Sequence, residues 1–410
     1  EKKVFLSLFS FLEGAGGERE ILFIVMYCKE GKTTANVPKK APESEVKKEA
    51  STSVCLSKRQ ERISELKQHD LRNLSRLVLT KLRESQPEIV EGLDPDLHYL
   101  PPRVNKETWN ALGDLVNNIE KHPPATGKIP GEEWISLRLD GTGFSKAVRL
   151  LRKKGILEPK GFSARFAECM QNCCEALMTH LNAKIGYTQS DEMVVFIAPA
   201  SIVRGEQQGH QRSGRICKLT TLAASFVTAR FVLQLAQLCA QFGVDINELL
   251  AVSPHFDCRL GHYKSWEEAQ SLLMWRAYDC SVNGVSDAVY HSEGGKKITS
   301  KNTKQKLLWL DQHGHLPLPP HQAYGTLMAK VKRLKEGFNP HAPTKSNSEP
   351  GSMGCTVQVL RSTIERIKGS HVLELVRTDS VWLTDDAMPD PTVGEPQVLI
   401  KSSSPSPSIR

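Results

Sequence analysis

The stretch WISLRLDGTGFS, residues 134–145, alternates apolar and polar side chains with a period of two. Because successive side chains of a β-strand point to opposite faces, this pattern predicts a strand with one face in a core. The two faces carry Ile135, Leu137 and Leu139 on one side and Ser136, Arg138 and Asp140 on the other. Gly141 and Gly143 follow and are expected to end the strand. The fold must therefore contain a sheet with the Asp140 carboxylate at the end of one strand.

A second strand-like pattern lies in KIGYTQSDEMVVFIAP, residues 184–199, where a polar segment is followed by an apolar one. The run Met193–Ile197 is apolar and β-prone, and Ser190, Asp191 and Glu192 stand immediately before it. This pattern predicts a hairpin with two adjacent carboxylates at its tip. A solvated turn is the ordinary alternative for such a sequence.

The remaining periodicities predict the fold class. Helical patterns cover about 163–183, 215–242 and 265–291, and a further strand covers about 253–263. The element order is then strand, helix, strand pair, helix, strand, helix. This order predicts an α+β fold, an antiparallel sheet layered with helices in a ferredoxin-like arrangement.

Shifts in composition divide the chain into four segments. Residues 1–56 are expected to be a disordered basic tail, and residues 57–131 a helical N-terminal extension. The catalytic domain is expected at 132–338. Residues 339–410 are expected to be a linker and a C-terminal extension, because they are rich in Pro, Ser and Gly around two short apolar stretches.

Charge and cysteine content limit the class of protein. The 54 Lys and Arg residues exceed the 46 Asp and Glu residues, and the formal charge of +8 favours a polyanionic partner. The ten cysteines form no CxxC pair, which indicates a reduced, intracellular protein, and Cys169, Cys173 and Cys174 are expected to be buried thiols. No run approaches the roughly 18 apolar residues of a membrane helix, so no membrane partner is expected. The expected location is cytoplasmic or nuclear, with a mitochondrial one left open.

The carboxylates of the two strands suggest a metal site. In a ferredoxin-like sheet the first strand and the hairpin are neighbours, so Asp140 and Asp191 are expected to converge. Mg²⁺ takes oxygen ligands, commonly one or two carboxylates with water and substrate phosphates. Gly141 has no Cβ, which lets a metal or a phosphate approach the backbone, and its carbonyl is a possible ligand.

Three cations are candidates for binding phosphate. Arg138 shares a strand face with Asp140, where a triphosphate would lie. Arg215 and Lys218 are three residues apart at the start of the long helix and so project from the same side. The N-terminus of that helix adds its own preference for anions.

Six motifs, in order, resemble the tRNA-His guanylyltransferase family, whose members add nucleotides in the 3′-to-5′ direction. The motifs are LRLDGTGFSK (137–146), GYTQSDEMVVF (186–196), RICK (215–218), PHFDCR (254–259), WRAYDCSVN (275–283) and LPPHQAYGTLM (318–328). The resemblance implies a polymerase-palm-like domain, two Mg²⁺ ions, and ATP and GTP as substrates. It also implies a tRNA substrate, with tRNA-His expected, and a homotetramer. In the family, ATP activates the tRNA 5′-monophosphate and the 3′-hydroxyl of GTP then attacks it.

The resemblance also assigns roles to residues. The catalytic residues it implies are Asp140, Asp191 and Glu192, and the metal ligands are Asp140, Gly141 and Asp191. The nucleotide-binding residues it implies are Arg138, Gly141, Thr142, Gly143, Phe144, Ser145, Ser190, Asp191, Arg215, Lys218 and Asn283. Basic residues near the first motif fit an RNA substrate and are expected to bind tRNA: Lys146, Arg152, Lys153 and Lys154.

The chain departs from the family pattern at several positions. They are Thr142, Ser145, Cys258, Ser281 and Gly284, where the family commonly has Arg, His, Gly, His and Asn. Both metal carboxylates are present, so phosphoryl transfer is expected. The departures leave two alternatives, a polymerase that repairs truncated tRNA 5′ ends and a non-catalytic tRNA-binding protein that keeps the palm fold. A nucleotide cyclase is a third, which the basic surface disfavours.

Overall fold

A six-stranded antiparallel sheet forms the centre of the fold. The eight strands in chain order are β1 Trp134–Thr142, β2 Ile185–Gln189, β3 Glu192–Ile197, β4 Ile202–Val203, β5 Glu206–Gln207, β6 His255–Tyr263, β7 Thr326–Asn339 and β8 Cys355–Ile367. The order in the large sheet is β6-β1-β3-β2-β7-β8, and β4 and β5 pair only with each other. Every pairing in the sheet is antiparallel.

Ten α-helices accompany these strands in the part of the chain that the structure describes. They are α1 Leu71–Glu84, α2 Lys106–Lys121, α3 Phe144–Lys153, α4 Ala164–His180, α5 Ile216–Gln241, α6 Ile246–Leu250, α7 Trp266–His291, α8 Thr303–Gln312, α9 Pro320–Ala323 and α10 Val372–Arg377. Short 3₁₀ turns lie at Gln211–Gly214 and Gly295–Ile298. The sequence β1-α4-β2-β3-α5-β6, with strand order β6-β1-β3-β2, is the ferredoxin-like topology, so the predicted fold class is confirmed.

This computed structural model describes residues 70–94 except 87 and 89, 104–159, 161–200, 202–203, 206–207, 209–339, 355–367 and 372–377. All of them belong to one unit, Ser57–Arg410. The predicted disordered tail and the predicted linker after β7 lie outside the described residues. Strand β8 pairs with β7 along its whole length, so part of the predicted C-terminal extension belongs to the same sheet as the palm.

The sheet separates two hydrophobic cores. Ile135, Leu137 and Leu139 face the first core, under α4 and α5. Trp134 and its neighbours on the other strands face the second core, under α1, α2 and α7. The alternation in β1 therefore sorts its side chains as expected. Burial of each large apolar side chain contributes about 1.5–3 kcal/mol, which makes the two cores the main source of stability.

Helix α5 is the one described helix that is long and apolar enough to cross a membrane, by length and composition only. Its buried side chains occur at every fourth position and face the sheet: Leu219, Ala223, Val227, Phe231, Leu235 and Cys239. About a fifth of its apolar window is buried (22%). Core helices pass the same test of length and composition, so a single such helix is weak evidence for a membrane span.

Several local predictions differ from the structure. Strand β1 ends at Thr142, between the two glycines that were expected to end it. Helix α3 follows directly and was not predicted. The glycine at 143 has a φ of 81° and is the N-cap of that helix. The two apolar stretches of the C-terminal segment are expected from sequence to add a small helix and a strand; the first is strand β8, and the second begins with helix α10.

The departure at Gly284 has a packing explanation. A Cβ at this position of α7 would lie 2.1 Å from the backbone oxygen of Gln322 in α9. Gly284 is buried, and the Gln322 side chain donates to its carbonyl at 3.4 Å. Only glycine lets the two helices approach this closely.

We predict that Gly284→Ala destabilises the protein. Overpacking costs about 1–3 kcal/mol, and the better helix propensity of Ala recovers at most about 1 kcal/mol. A backbone oxygen cannot rotate away, so the clash dominates. The melting temperature, followed by circular dichroism, should fall. Gly209→Ala is the matched control, because a Cβ there meets nothing within 4 Å. Equal melting temperatures for the two variants would contradict the prediction.

Candidate active site

The hairpin between β2 and β3 has a loop of only two residues. Gln189 pairs with Glu192, which leaves Ser190 and Asp191 as the turn. Ser190 has a φ of 52°, a left-handed conformation that is uncommon outside glycine. Tight hairpins require such φ values, so the register of the strands holds Ser190 in this conformation. The turn therefore fixes Asp191 at the tip and Glu192 as the first residue of β3.

The pairing of β1 brings the carboxylates together. Asp140 lies directly opposite Glu192 on β3 and directly opposite Asp257 on β6. Directly opposite residues of antiparallel strands point to the same face, about 4.5–5.5 Å apart. Asp140, Asp191 and Glu192 are thus gathered at one end of the sheet, as expected. Asp257 is not among the predicted site residues, although the motif PHFDCR that contains it is on the strand that pairs with β1.

Glu192 is held between two guanidinium groups. Arg276 of α7 binds it bidentately, with Nε 2.7 Å from Oε1 and Nη2 2.7 Å from Oε2. Arg138 Nη1 lies 3.9 Å from Oε1 on the other side. Burial raises the pKa of Glu192 to about 7, while Arg276 and Arg138 act in the opposite direction. Arg276 also pairs with Asp279 at 3.3 Å.

Asp191 experiences both burial and a neighbouring charge. Burial is the main cause that raises its pKa, and the negative charge of Asp140 raises it further. The backbone and the Ser190 hydroxyl lower it. The carboxylates of Asp140 and Asp191 are therefore close enough to repel each other, and the metal site that they were predicted to share stays a prediction.

The donor set is one that Mg²⁺ accepts. The described residues contain no group of three or more His, Cys, Asp or Glu side chains that could hold a metal ion. Mg²⁺ needs no such cage, because it binds proteins through one or two carboxylates and keeps water and phosphate ligands. A cation between Asp140 and Asp191 would also remove their repulsion. The chemistry of these two carboxylates fits a magnesium ion, and the Gly141 carbonyl stays a predicted ligand.

Arg138 is placed differently from the expectation that it meets a triphosphate. It is buried, with 4% of its surface exposed. Its Nε donates to Oε1 of Glu120 at 2.9 Å, and its Nη2 donates to Oε2 of the same residue. Glu120, on α2, was missed, because nothing in the sequence indicates that this helix reaches the first strand. Arg138 therefore contacts two carboxylates inside the protein.

The segment after Asp140 combines core and surface residues. Phe144 is buried among Phe166, Phe231 and Phe256, so its side chain is part of the first core and faces away from solvent. Gly141 is required by this packing, since a Cβ there would lie 2.5 Å from the Phe144 ring. The other predicted nucleotide-binding positions here are exposed at the start of α3: Thr142, Gly143 and Ser145.

Arg215 and Lys218 are exposed at the N-terminus of α5, as predicted. Neither has an ion-pair partner among the described residues. Arg215 is the N-cap and forms an isolated backbone bridge with Lys128. Arg212 and Ser213 just before it have φ values of 58° and 56°, a strained left-handed turn that sets where the helix begins. Asn283 is exposed on α7.

The four residues expected to bind tRNA fall into two groups. Lys146 and Lys153 are exposed. Arg152 donates to the carbonyl of Gly161, and Lys154 pairs with Glu248 at 2.7 Å. Lys146 and Lys153 also have no ion pair with a described residue. Arg152 and Lys154 differ from them, because each contacts another part of the protein.

The described residues form an α+β, palm-like fold with Asp140 on the first strand and Asp191 and Glu192 on the adjoining hairpin. Residues 114–264 match the family model described as tRNAHis guanylyltransferase. Residues 114–264 are thus similar to the tRNA-His guanylyltransferase family, in agreement with the six motifs.

Individual proteins are similar to parts of the chain. The chain is 26% identical over 233 residues to the uncharacterized protein R259 of Acanthamoeba polyphaga mimivirus, covering 53% of this chain and 77% of that protein. It is 27% identical over 158 residues to a probable tRNA(His) guanylyltransferase of Mus musculus, covering 38% of this chain. The match spans about half of that relative's length (47%). A bacterial tRNA(His) guanylyltransferase-like protein solved in complex with GTP is 21% identical, with a TM-score of 0.40, covering 66% of this chain and 97% of that one.

We predict that Glu192 titrates near neutral pH. In metal-free buffer, the ¹³C resonance of its carboxyl should shift with a midpoint of about 7. Arg276→Met should raise the midpoint, because a cation that favours the charged form is lost. Arg259→Met, which affects the exposed Asp257, is the control and should leave it unchanged.

The same shift makes stability depend on pH. Between the ordinary value of 4.5 and about 7, the folded chain keeps a proton on Glu192 that the unfolded chain has released. The contribution of Glu192 to the free energy of unfolding therefore decreases as pH rises through this window. A carboxyl midpoint near 4.5 in the folded protein would contradict both statements.

Proposed function

We propose that this chain is a 3′-to-5′ nucleotidyltransferase that adds a nucleotide to the 5′ end of a tRNA. The proposed nucleotide is guanylate and the proposed substrate is tRNA-His. The observation that carries the proposal is the strand register that sets Asp140 opposite Glu192 and next to Asp191. The family match covers this region, residues 114–264. ATP, GTP and a homotetramer belong to the proposal through the motif resemblance, and an intracellular location stays a prediction.

In this proposal the three acidic residues at the end of the sheet have different roles. Asp140 and Asp191, with the Gly141 carbonyl, would hold Mg²⁺. When bound, Mg²⁺ supplies positive charge that stabilises the oxygens of a transferring phosphoryl group. Glu192 does not move freely, because Arg276 binds both of its oxygens, so it keeps the end of β3 in place.

The nucleotide would be bound by cations and backbone. Arg215 and Lys218 project from one side of α5 and are available to phosphate. The first backbone N–H groups of α3, at Phe144 and Ser145, have no intrahelical acceptor and add positive potential. ATP would first adenylylate the 5′-phosphate of the tRNA, with release of pyrophosphate. In the transfer step, the 3′-hydroxyl oxygen of GTP would bond to the 5′ phosphorus as the bond from that phosphorus to AMP breaks, and the hydroxyl proton would pass to water.

The proposal predicts that activity depends on both carboxylates. The assay follows labelled GTP onto tRNA with a 5′-monophosphate in the presence of ATP and Mg²⁺. Asp140→Ala and Asp191→Ala should each lower kcat by about 100-fold or more, since preorganised charge is the largest contribution to such steps. Asp311→Ala, on α8, is the matched control and should keep wild-type activity.

The outcomes of this assay separate the alternatives. Addition to truncated tRNAs in preference to intact tRNA-His would identify a 5′-end repair polymerase. Tight tRNA binding without any nucleotide addition would identify a non-catalytic binding protein. Full activity in Asp140→Ala would refute the proposed mechanism.

A second prediction concerns the RNA surface. Lys146→Glu combined with Lys153→Glu should weaken tRNA binding and flatten its salt dependence, because each phosphate contact contributes about 0.7–0.9 to the slope of log K against log salt. Fluorescence anisotropy at several salt concentrations measures both. The control pair Lys121→Glu and Lys264→Glu is also exposed but lies outside the α3 cluster. Equal losses in the two pairs would show that only net charge matters.

A further inference from the structure

Glu120 is the most completely buried carboxylate among the ion pairs of the described residues, with 2% of its side chain exposed. It lies near the end of α2, outside the palm topology. Its partner Arg138 is 5% exposed at the side chain, and both carboxylate oxygens accept from that guanidinium. Asn117 of the same helix accepts from Arg138 Nη2 at 3.4 Å. Helix α2 therefore directs one charged side chain to the centre of β1.

Arg138 connects this buried carboxylate to the candidate active site. One guanidinium contacts Glu120 on one side and lies 3.9 Å from Glu192 on the other. Arg276 then binds the far side of Glu192. The charges alternate along a chain of four side chains: Glu120, Arg138, Glu192 and Arg276. The indole of Trp275 covers both guanidinium groups, at 5.9 Å and 5.0 Å from its ring centroid.

From this arrangement we infer that Glu120 is a positioning residue for the active-site hairpin. Two hydrogen bonds to Glu120 hold Arg138 at ion-pair distance from Glu192 and prevent it from closing on that carboxylate. Without Glu120, the buried cation has Glu192 as its remaining carboxylate partner and draws it away from Arg276. Glu192 is the first residue of β3 and follows Asp191, so this movement displaces the turn that carries Asp191.

A purely structural ion pair is the competing explanation. Removing one partner of a buried pair costs about 3–5 kcal/mol wherever the pair lies, because the other charge is left without compensation. A loss of stability in Glu120→Gln therefore does not distinguish the positioning role from a purely structural ion pair. The positioning role predicts in addition a change confined to the hairpin and to the rate of the chemical step.

The experiment compares Glu120→Gln, Glu120→Asp and Glu175→Gln in the full chain. Glu175 on α4 pairs with Arg366 at 2.6 Å and is the matched control for a broken Arg–carboxylate pair outside the site. Glu120→Gln should lower kcat for nucleotide addition by about 10- to 100-fold, the effect of a displacement near 1 Å, with KM for GTP changed less than about two-fold. Glu120→Asp keeps the charge and should recover part of the rate. Glu175→Gln should keep wild-type kcat.

Amide hydrogen exchange supplies a readout independent of catalysis. Residues 190–192 should exchange faster in Glu120→Gln than in Glu175→Gln when the two are compared at equal fractions unfolded. Wild-type kcat together with wild-type exchange at the hairpin would overturn the inference. If Glu120→Gln does not fold, the same two measurements on Glu120→Asp decide, with losses in kcat and protection expected and unchanged values overturning it.

The kinetic part of this inference rests on the proposed function. A wild-type chain that adds no nucleotide to any tRNA would refute that function, and the exchange measurement would then decide the role of Glu120 alone. A wild-type chain that is active, with an unaltered Glu120→Gln variant, would refute the inference and leave the function standing.

Discussion

The antiparallel register between β1 and β3 is the constraint on which the rest of the site depends. A slip of one residue would turn every side chain of β1 to the opposite face. Arg138 and Asp140 would then enter the first core, and Leu137 and Leu139 would replace them among the charges. Because both faces of β1 are buried, such a slip is very costly, and the two-residue turn at Ser190 and Asp191 excludes it on the side of β3.

The resulting site is a buried electrostatic network of Glu120, Arg138, Glu192 and Arg276 beside the two carboxylates proposed to hold a metal ion. Glu192 has two cationic neighbours, yet burial still raises the pKa of Glu192 to about 7. Desolvation therefore outweighs attraction at this position, which is usual when charged groups leave water. The departures from the family pattern lie around this network and leave its charges intact. Ser281, for example, donates to the carbonyl of Tyr278 within α7, and Gly284 admits α9.

Local patterns predicted most of the fold and the proximity of the first strand to the hairpin that carries Asp191 and Glu192. The period of two in β1 and the long apolar patterns of α5 and α7 identify elements because each pattern is set by one neighbouring core. The hairpin and its carboxylates followed from the same reasoning. Arg138 and Phe144 could not be placed in this way, since their surroundings come from α2, α4, α5 and β6. Glu120 gave no signal at all, because a single acidic residue in a helix is normally solvated.

Glu120 also bears on where the catalytic unit begins. The ferredoxin-like topology starts at β1, so the strand order alone would place the N-terminal boundary of the domain at this strand. Such a cut would remove Glu120, the hydrogen-bonded acidic partner of a guanidinium that lies in the middle of the sheet, and leave Arg138 with the charges of Glu192 and Asp140. Helix α2 is thus part of the same charge network as the end of the sheet, and a fragment that begins at β1 would lack one of the four members of that network.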